Sequence, residues 1–206
     1  MKREEKNLHS RRKILDAALR EFAAQGYGLS SINTICSEGD ISKGVLYHYF
    51  KDKDEIYLAC VNECFDMLTA HLQEHTARNN NKGVQAYFDA RLLFFKKQPL
   101  YQRLFCDALI SPPPHLKEEI CKSKEAFDAL NVSVLTNFLR GKKLRDSITM
   151  EQAIETFRLF QDFVNARYQM QPGSAFDIAA HEEVCSRSLN ILLYGVMERG
   201  AKSHGQ

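Results

Sequence analysis

The stretch from residue 30 to residue 53, SSINTICSEGDISKGVLYHYFKDK, constrains what this chain can fold into more than any other. It reads as two short helices about a tight turn. Ile32, Ile35 and Cys36 recur at i, i+3 and i+4, which gives the first short helix one buried stripe, and Ser30 and Ser31 stand where its N-cap belongs. Gly39 and Asp40 follow. Both residue types enter left-handed backbone conformations at low cost, so the pair marks the turn, and Ile41 plugs back toward the core. A second helix begins near Ser42. At 100° per residue, Lys43, Gly44, Tyr47, His48 and Lys51 fall on its outward side, and Val45, Leu46, Tyr49 and Phe50 fall on its inward side. An outward face of two lysines, a tyrosine, a histidine and a glycine that bares the backbone suits a helix pressed against an anion.

The rest of the chain is patterned for helices. Five prolines and ten glycines in 206 residues, many gathered at a few breakpoints, leave long uninterrupted stretches of helical periodicity. A first helix is expected over residues 10–25, with Ile14, Ala18 and Phe22 at i, i+4 and i+8, stopped by Gly26 and Gly28. Asp52 with Glu55 three residues on makes a capping-box-like start for a long helix to about residue 76. Residues 78–83 read as a loop. Further helices are expected to about residue 98, from 100 to 110, from 115 to 140, from 149 to 170 and from 174 to 199, so the fold class is all-α with about nine helices. Residues 1–9 form a charged arm carrying Lys2, Arg3 and Lys6. No apolar run reaches 18 residues, and the charged N-terminus lacks an apolar signal core. The expected location is therefore the cytoplasm, with no membrane span.

The run ISKGVLYHYFKDKDEI, preceded by an amphipathic helix that ends in Gly26-Tyr27, resembles the N-terminal DNA-binding domain of TetR-family transcriptional regulators. The order S-K-G-x-L-Y-x-Y-F-K-x-K and its distance from the first helix are both matched. One departure is the turn, which is Ala-Gly in most of that family and Gly39-Asp40 here. The resemblance implies a three-helix helix-turn-helix domain over residues 1–53 and a helical ligand-binding and dimerisation domain over 54–206. It implies that Lys43 and Tyr47 approach base edges in the major groove, that Val45 meets a thymine methyl, and that Gly44 lets the backbone come close. Ser31, His48, Tyr49 and Lys53 would hold phosphates, with Ser42 at the start of the same surface. It further implies a homodimer through the last two helices on a pseudo-palindromic double-stranded operator, released by a small effector and acting as a repressor. The surplus apolar surface of the last two helices agrees with a partner: Ile154, Phe157, Phe160 and Val164 in one, and Val184, Leu189, Ile191, Leu192, Leu193, Val196 and Met197 in the other.

The remaining chemistry-bearing residues admit several readings. A cavity walled by the aromatics of the middle region would favour an apolar or aromatic ligand, with His71, Arg103, Cys106 and Asp107 as the available polar anchors. Six cysteines show no CxxC and no zinc spacing. A thiol or metal sensor built on Cys60, Cys64, His71 and His75 meets a geometric obstacle, since the outer pair stands about 22 Å apart along a helix. Buried core cysteines are the simpler reading, and no metal or cofactor is expected. No P-loop, dinucleotide glycine motif, HExxH or nucleophile elbow occurs, so no catalytic residues are assigned and the chain is not expected to be an enzyme. Two alternatives to a ligand-responsive regulator stay open: a ligand-independent DNA-binding or architectural protein, and a cysteine-based redox sensor on the same fold.

Overall fold

Ten α-helices and one 3-10 turn succeed one another in the computed structural model, which describes residues 3–78, 83–169 and 178–196; no strand occurs among them. They are α1 (Arg3–Leu29), α2 (Ile32–Glu38), α3 (Lys43–Tyr49), α4 (Lys53–Arg78), α5 (Gly83–Lys97), α6 (Pro99–Ile110), a 3-10 turn (Pro114–Leu116), α7 (Lys117–Ser123), α8 (Glu125–Leu139), α9 (Met150–Gln169) and α10 (Ile178–Val196). No helix among the described residues is long and apolar enough to cross a membrane.

The local signals account for most of these boundaries. Ser31 caps α2 by accepting the Asn33 N–H at 3.1 Å, and Ser42 caps α3 by accepting the Val45 N–H at 3.2 Å. At the head of α4, Asp52 Oδ1 accepts the Glu55 N–H at 2.9 Å while Glu55 Oε2 accepts the Lys51 N–H at 2.6 Å, a capping box displaced by one residue. Thr149 and Gln152 cap α9 reciprocally, each side chain accepting the other's backbone N–H.

Three expectations are corrected. The charged arm is helical from Arg3, so α1 begins seven residues ahead of the expected start. The single helix expected over 115–140 is three pieces, because Pro113 and Pro114 set a 3-10 turn and Lys124 (φ −92°, ψ 0°) interrupts the helix between Ser123 and Glu125. No glycine or proline marks that second break. In the turn, only Asp40 enters the left-handed region (φ 45°), while Gly39 is right-handed (φ −82°). Glycine is needed at 39 for space: a Cβ there would lie 2.5 Å from Ile41 Cδ1 and 3.0 Å from both Ala17 Cβ and Ile35 O. The loop expected over 78–83 lies mostly, and the Ser174 cap and residues 197–199 of the last helix wholly, outside the described residues.

The chain packs as two units, Met1–His71 with Leu93–Asp128, and Leu72–Leu92 with Ala129–Gln206. A boundary at residue 53 follows the motif, whereas packing groups α1–α3 with α6 and most of α4. Ile14, Ala17, Ala18, Phe22, Ile35, Leu46, Ile56, Tyr57, Leu68 and Leu104 are buried in the first unit. Its α1 packs most extensively on α6, and next on α2. In the second unit Leu135, Leu139, Ala153, Phe157, Leu189 and Leu193 are buried.

Candidate nucleic-acid interface

The seven residues of α3 are anchored by Leu46, fully buried, and by Phe50 just past the helix, 3% exposed. So narrow an anchor leaves the rest of the helix outside. Lys43, Gly44, Tyr47 and His48 are exposed, Tyr47 to 52%. Val45, assigned inward by helical projection, is 41% exposed, because the buried arc of so short a helix does not reach it. Tyr49 is half-buried, donates its O–H to Asn7 Oδ1 at 3.0 Å and stands edge-on to the His48 ring at 5.0 Å. At Gly44 a Cβ would meet nothing nearer than Ser42 Oγ at 4.0 Å, so the backbone there is open to an approaching surface. Lys43, Gly44, Val45, Tyr47 and His48 therefore form one exposed strip of donors, ring edges and bare backbone.

The serines at the two helix starts accept backbone N–H groups, and each hydroxyl keeps its hydrogen to donate. Lys53 is more committed than its spacing suggests. Its Nζ donates to Tyr27 O at 2.8 Å and to Ser30 O at 3.2 Å, and it lies 4.2 Å from the centre of the Tyr27 ring, leaving one N–H for a phosphate.

Several supporting contacts were not foreseen from the sequence. Lys13 Nζ donates to Asp40 O at 3.1 Å and pins the turn to α1, and the Arg11 guanidinium sits 5.3 Å from the Phe50 ring centre. Glu21, 5% exposed, accepts the Ser31 N–H at 2.9 Å and so holds the start of α2. Its signal was present: a carboxylate four residues after Ala17 and beside Phe22 interrupts the apolar stripe of α1, as a buried acceptor does. On the far side of Phe50 and Lys51 opens a groove of about 730 Å³ whose lining includes Asp52, Asp54, Glu55, Glu63, Asp66 and Glu119. Those carboxylates repel phosphate and mark where an anion-contacting surface ends.

The four polar anchors proposed for a ligand stand in different surroundings. Arg103 is exposed, Cys106 is buried, and His71 is half-buried with its ring 5.4 Å from that of Phe94. Asp107 is held inside the first unit, accepting the Tyr57 O–H at 2.8 Å and the Tyr27 N–H at 3.3 Å. None of the four lines the cavities found in the second unit. One of these is lined by Tyr87, Phe88, Asn131, Val134, Leu135, Phe157 and Leu189, the other by Leu135, Leu139, Ala153, Thr156, Phe157, Leu189, Leu192 and Leu193. Each measures about 10 Å³, room for about one water. The first has a polar end, where the Tyr87 O–H donates to Asn131 Oδ1 and Arg91 Nη1 donates to Tyr87 Oη at 3.4 Å.

The sensor built on thiols fares worse. Cys60 and Cys64 are both buried; burial pushes the Cys60 thiol up to about 12, and it pushes Cys64 up as well. Thiolate, the redox-active form, is scarce at such sites near neutral pH.

A capped helix pair around a tight turn, with its second helix laid open and its first unit built on α1, α4 and α6, defines an all-α protein with an N-terminal helix-turn-helix. The profile of the bacterial regulatory proteins, tetR family, matches residues 14–60, the helix-turn-helix and the start of α4. The HTH-type transcriptional regulator RutR of Escherichia coli K12 is 24% identical over 132 residues, covering 64% of this chain and 62% of RutR. The match thus spans less than two thirds of that relative's length. The negative transcriptional regulator IcaR of the biofilm operon icaADBC in Staphylococcus epidermidis is 28% identical over 109 residues, 52% of this chain and 57% of IcaR. The fold as a whole is shared with the crystal structure of the transcriptional regulator FadR from Bacillus subtilis in complex with stearoyl-CoA, at a TM-score of 0.66 and 15% identity, covering 89% of this chain and 98% of that one.

Proposed function

We propose that this chain is a DNA-binding transcriptional regulator of the cytoplasm, a repressor that leaves a pseudo-palindromic operator when a small apolar or aromatic effector binds. The observation that carries the reading is the exposed strip Lys43, Gly44, Val45, Tyr47 and His48 on a helix whose opposite side is anchored by Leu46. Lys43 and Tyr47 reach base edges, Val45 meets a thymine methyl, and Ser31, Ser42, His48, Tyr49 and the remaining Lys53 donor hold phosphates. Residues 1–53 do the reading; residues 54–206 sense the effector and dimerise. The exposed Leu159 and Phe163 of α9 and Ile191 of α10, each at least 60% exposed, support pairing with a second copy through the last two helices. Repression is supported by the likeness to IcaR, and an apolar effector by the likeness to a FadR crystallised with stearoyl-CoA. Release follows from linkage: an effector with higher affinity for the DNA-incompetent dimer lowers operator affinity by the same factor that DNA lowers effector affinity.

The size of the two cavities favours a second reading, a DNA-binding or architectural protein without an effector, since neither holds more than about one water as it stands. Alanine substitution of Lys43 or Tyr47 tests what both readings share. Each should cost about 1–3 kcal/mol of operator affinity and relax base preference. If both variants bind like the wild type, α3 does not read the DNA.

A further inference from the structure

We propose that Asp107, on α6, is a positioning residue for DNA binding, its Oδ2 taking the Tyr27 N–H and the Tyr57 O–H together to fix the angle of the helix-turn-helix at the kink of α1. The inference rests on the reading that α3 contacts DNA and names what aims it.

The argument begins at Gly26. With φ 68° and ψ 172° it interrupts α1, and a kink of that kind deprives the next backbone N–H of its helical acceptor. The next N–H is that of Tyr27, and its acceptor is Asp107 Oδ2 at 3.3 Å. The same oxygen accepts the buried Tyr57 O–H from α4 at 2.8 Å, so one atom of α6 joins the kink of α1 to the first turns of α4. The fit at the kink is close: a Cβ on Gly26 would lie 3.4 Å from Asp107 Oδ1.

Every other polar atom of Tyr27 is also engaged. Its carbonyl accepts from Lys53 Nζ at 2.8 Å, its O–H donates to Asp54, and His115 Nε2 lies 3.2 Å from its phenol oxygen. Its ring stands edge-on to Tyr57 at 5.0 Å. Helix α1 packs on α6, and the residues after Tyr27 lead directly into α2 and α3. The hinge between them is therefore closed by a side chain from outside the helix-turn-helix. A half-buried carboxylate is a costly choice for packing alone, and Asp107 is the group whose loss leaves two donors without an acceptor.

Full-length Asp107→Leu, Asp107→Asn and Tyr57→Phe decide it, with amide exchange of residues 26–31 measured in the free protein and affinity measured for DNA selected by the wild type. Leucine removes both acceptors at similar size; exchange at Tyr27 should rise and operator affinity fall, each by about tenfold. Asparagine keeps an oxygen at the Oδ2 position, so D107N should stay within about threefold of the wild type on both measures. Tyr57→Phe, smaller by one hydroxyl, should fold even if D107L does not, and should show the D107L changes in weaker form. A residue that only contributes packing would lower melting temperature without changing affinity per folded molecule. Wild-type exchange at residues 26–31 in D107L or Y57F overturns the proposal whatever the DNA result, and so does a D107N loss equal to that of D107L. Failure of the wild type to select any DNA would instead refute the α3 reading, leaving the exchange measurement to decide the role of Asp107.

Discussion

The carboxylate of Asp107 and the phenol of Tyr57 meet at 2.8 Å, from helices α6 and α4, inside the first unit of the protein. Burial pushes the Asp107 carboxyl above the usual carboxylate range, against the pull of the hydrogen bonds from Tyr57 and Tyr27. A folded pKa raised above the unfolded one means that the folded protein holds the proton more tightly. The stability this contributes is complete below the unfolded pKa and is lost as pH rises through the folded value. Wild type should therefore lose stability relative to D107N as pH rises above the ordinary carboxylate value of about 4, measured by urea unfolding at each pH. Parallel stability curves would contradict the assigned burial.

Gly39 and Gly44 separate a glycine kept for packing from one kept for binding. Gly39→Ala places a Cβ 3.0 Å from Ala17 Cβ and Ile35 O, and should destabilise the protein by about 1–3 kcal/mol in denaturant titrations. Gly44→Ala meets open space on a helix and should stabilise by about 0.5–1 kcal/mol. The same G44A variant should nevertheless bind operator more weakly, because its methyl occupies the surface the DNA backbone approaches. A G44A protein with unchanged affinity would remove Gly44 from the interface.

Cys121 is exposed, whereas Cys36, Cys60, Cys64 and Cys106 are buried. Reaction of the native protein with Ellman's reagent should show a fast phase that Cys121→Ser abolishes and a slower one from the half-buried Cys185, the buried four reacting only as the chain unfolds. Rapid native-state modification of Cys60 or Cys64 would return the redox reading to contention.

Much of this was legible in the residues themselves. The Ser31 and Ser42 caps, the Asp52–Glu55 start of α4 and the Thr149–Gln152 pair each carry their partner within three residues, so local spacing reveals them. Position 40 was readable as a left-handed turn residue for the same reason. What escaped was long-range. Asp107 meets Tyr27 across 80 positions, and Lys53 is claimed by carbonyls 23 and 26 residues earlier, contacts that no periodicity encodes. The break at Lys124 has no glycine or proline to announce it. Val45 was misplaced because a helical wheel assumes a wide buried arc, and α3 has a single buried residue.

Phe163 and Ile191 are 64% and 68% exposed on α9 and α10 of the second unit. On the surface of a monomer, a polar substitution at either would change stability by no more than about 0.5 kcal/mol. In the proposed dimer both become core. Phe163→Glu and Ile191→Glu should therefore leave the helical circular dichroism intact while converting a dimer to a monomer in sedimentation experiments. Dimers that survive both substitutions would place the interface elsewhere.

Selection of bound sequences from random double-stranded DNA tests the central claim most directly, because it asks for specificity, symmetry and spacing in one readout. The account predicts two half-sites related by a twofold axis, their centres separated by about one helical turn or a multiple of it, with base preference relaxed in Tyr47→Ala. An unenriched pool, or a single asymmetric site indifferent to Lys43 and Tyr47, would contradict it.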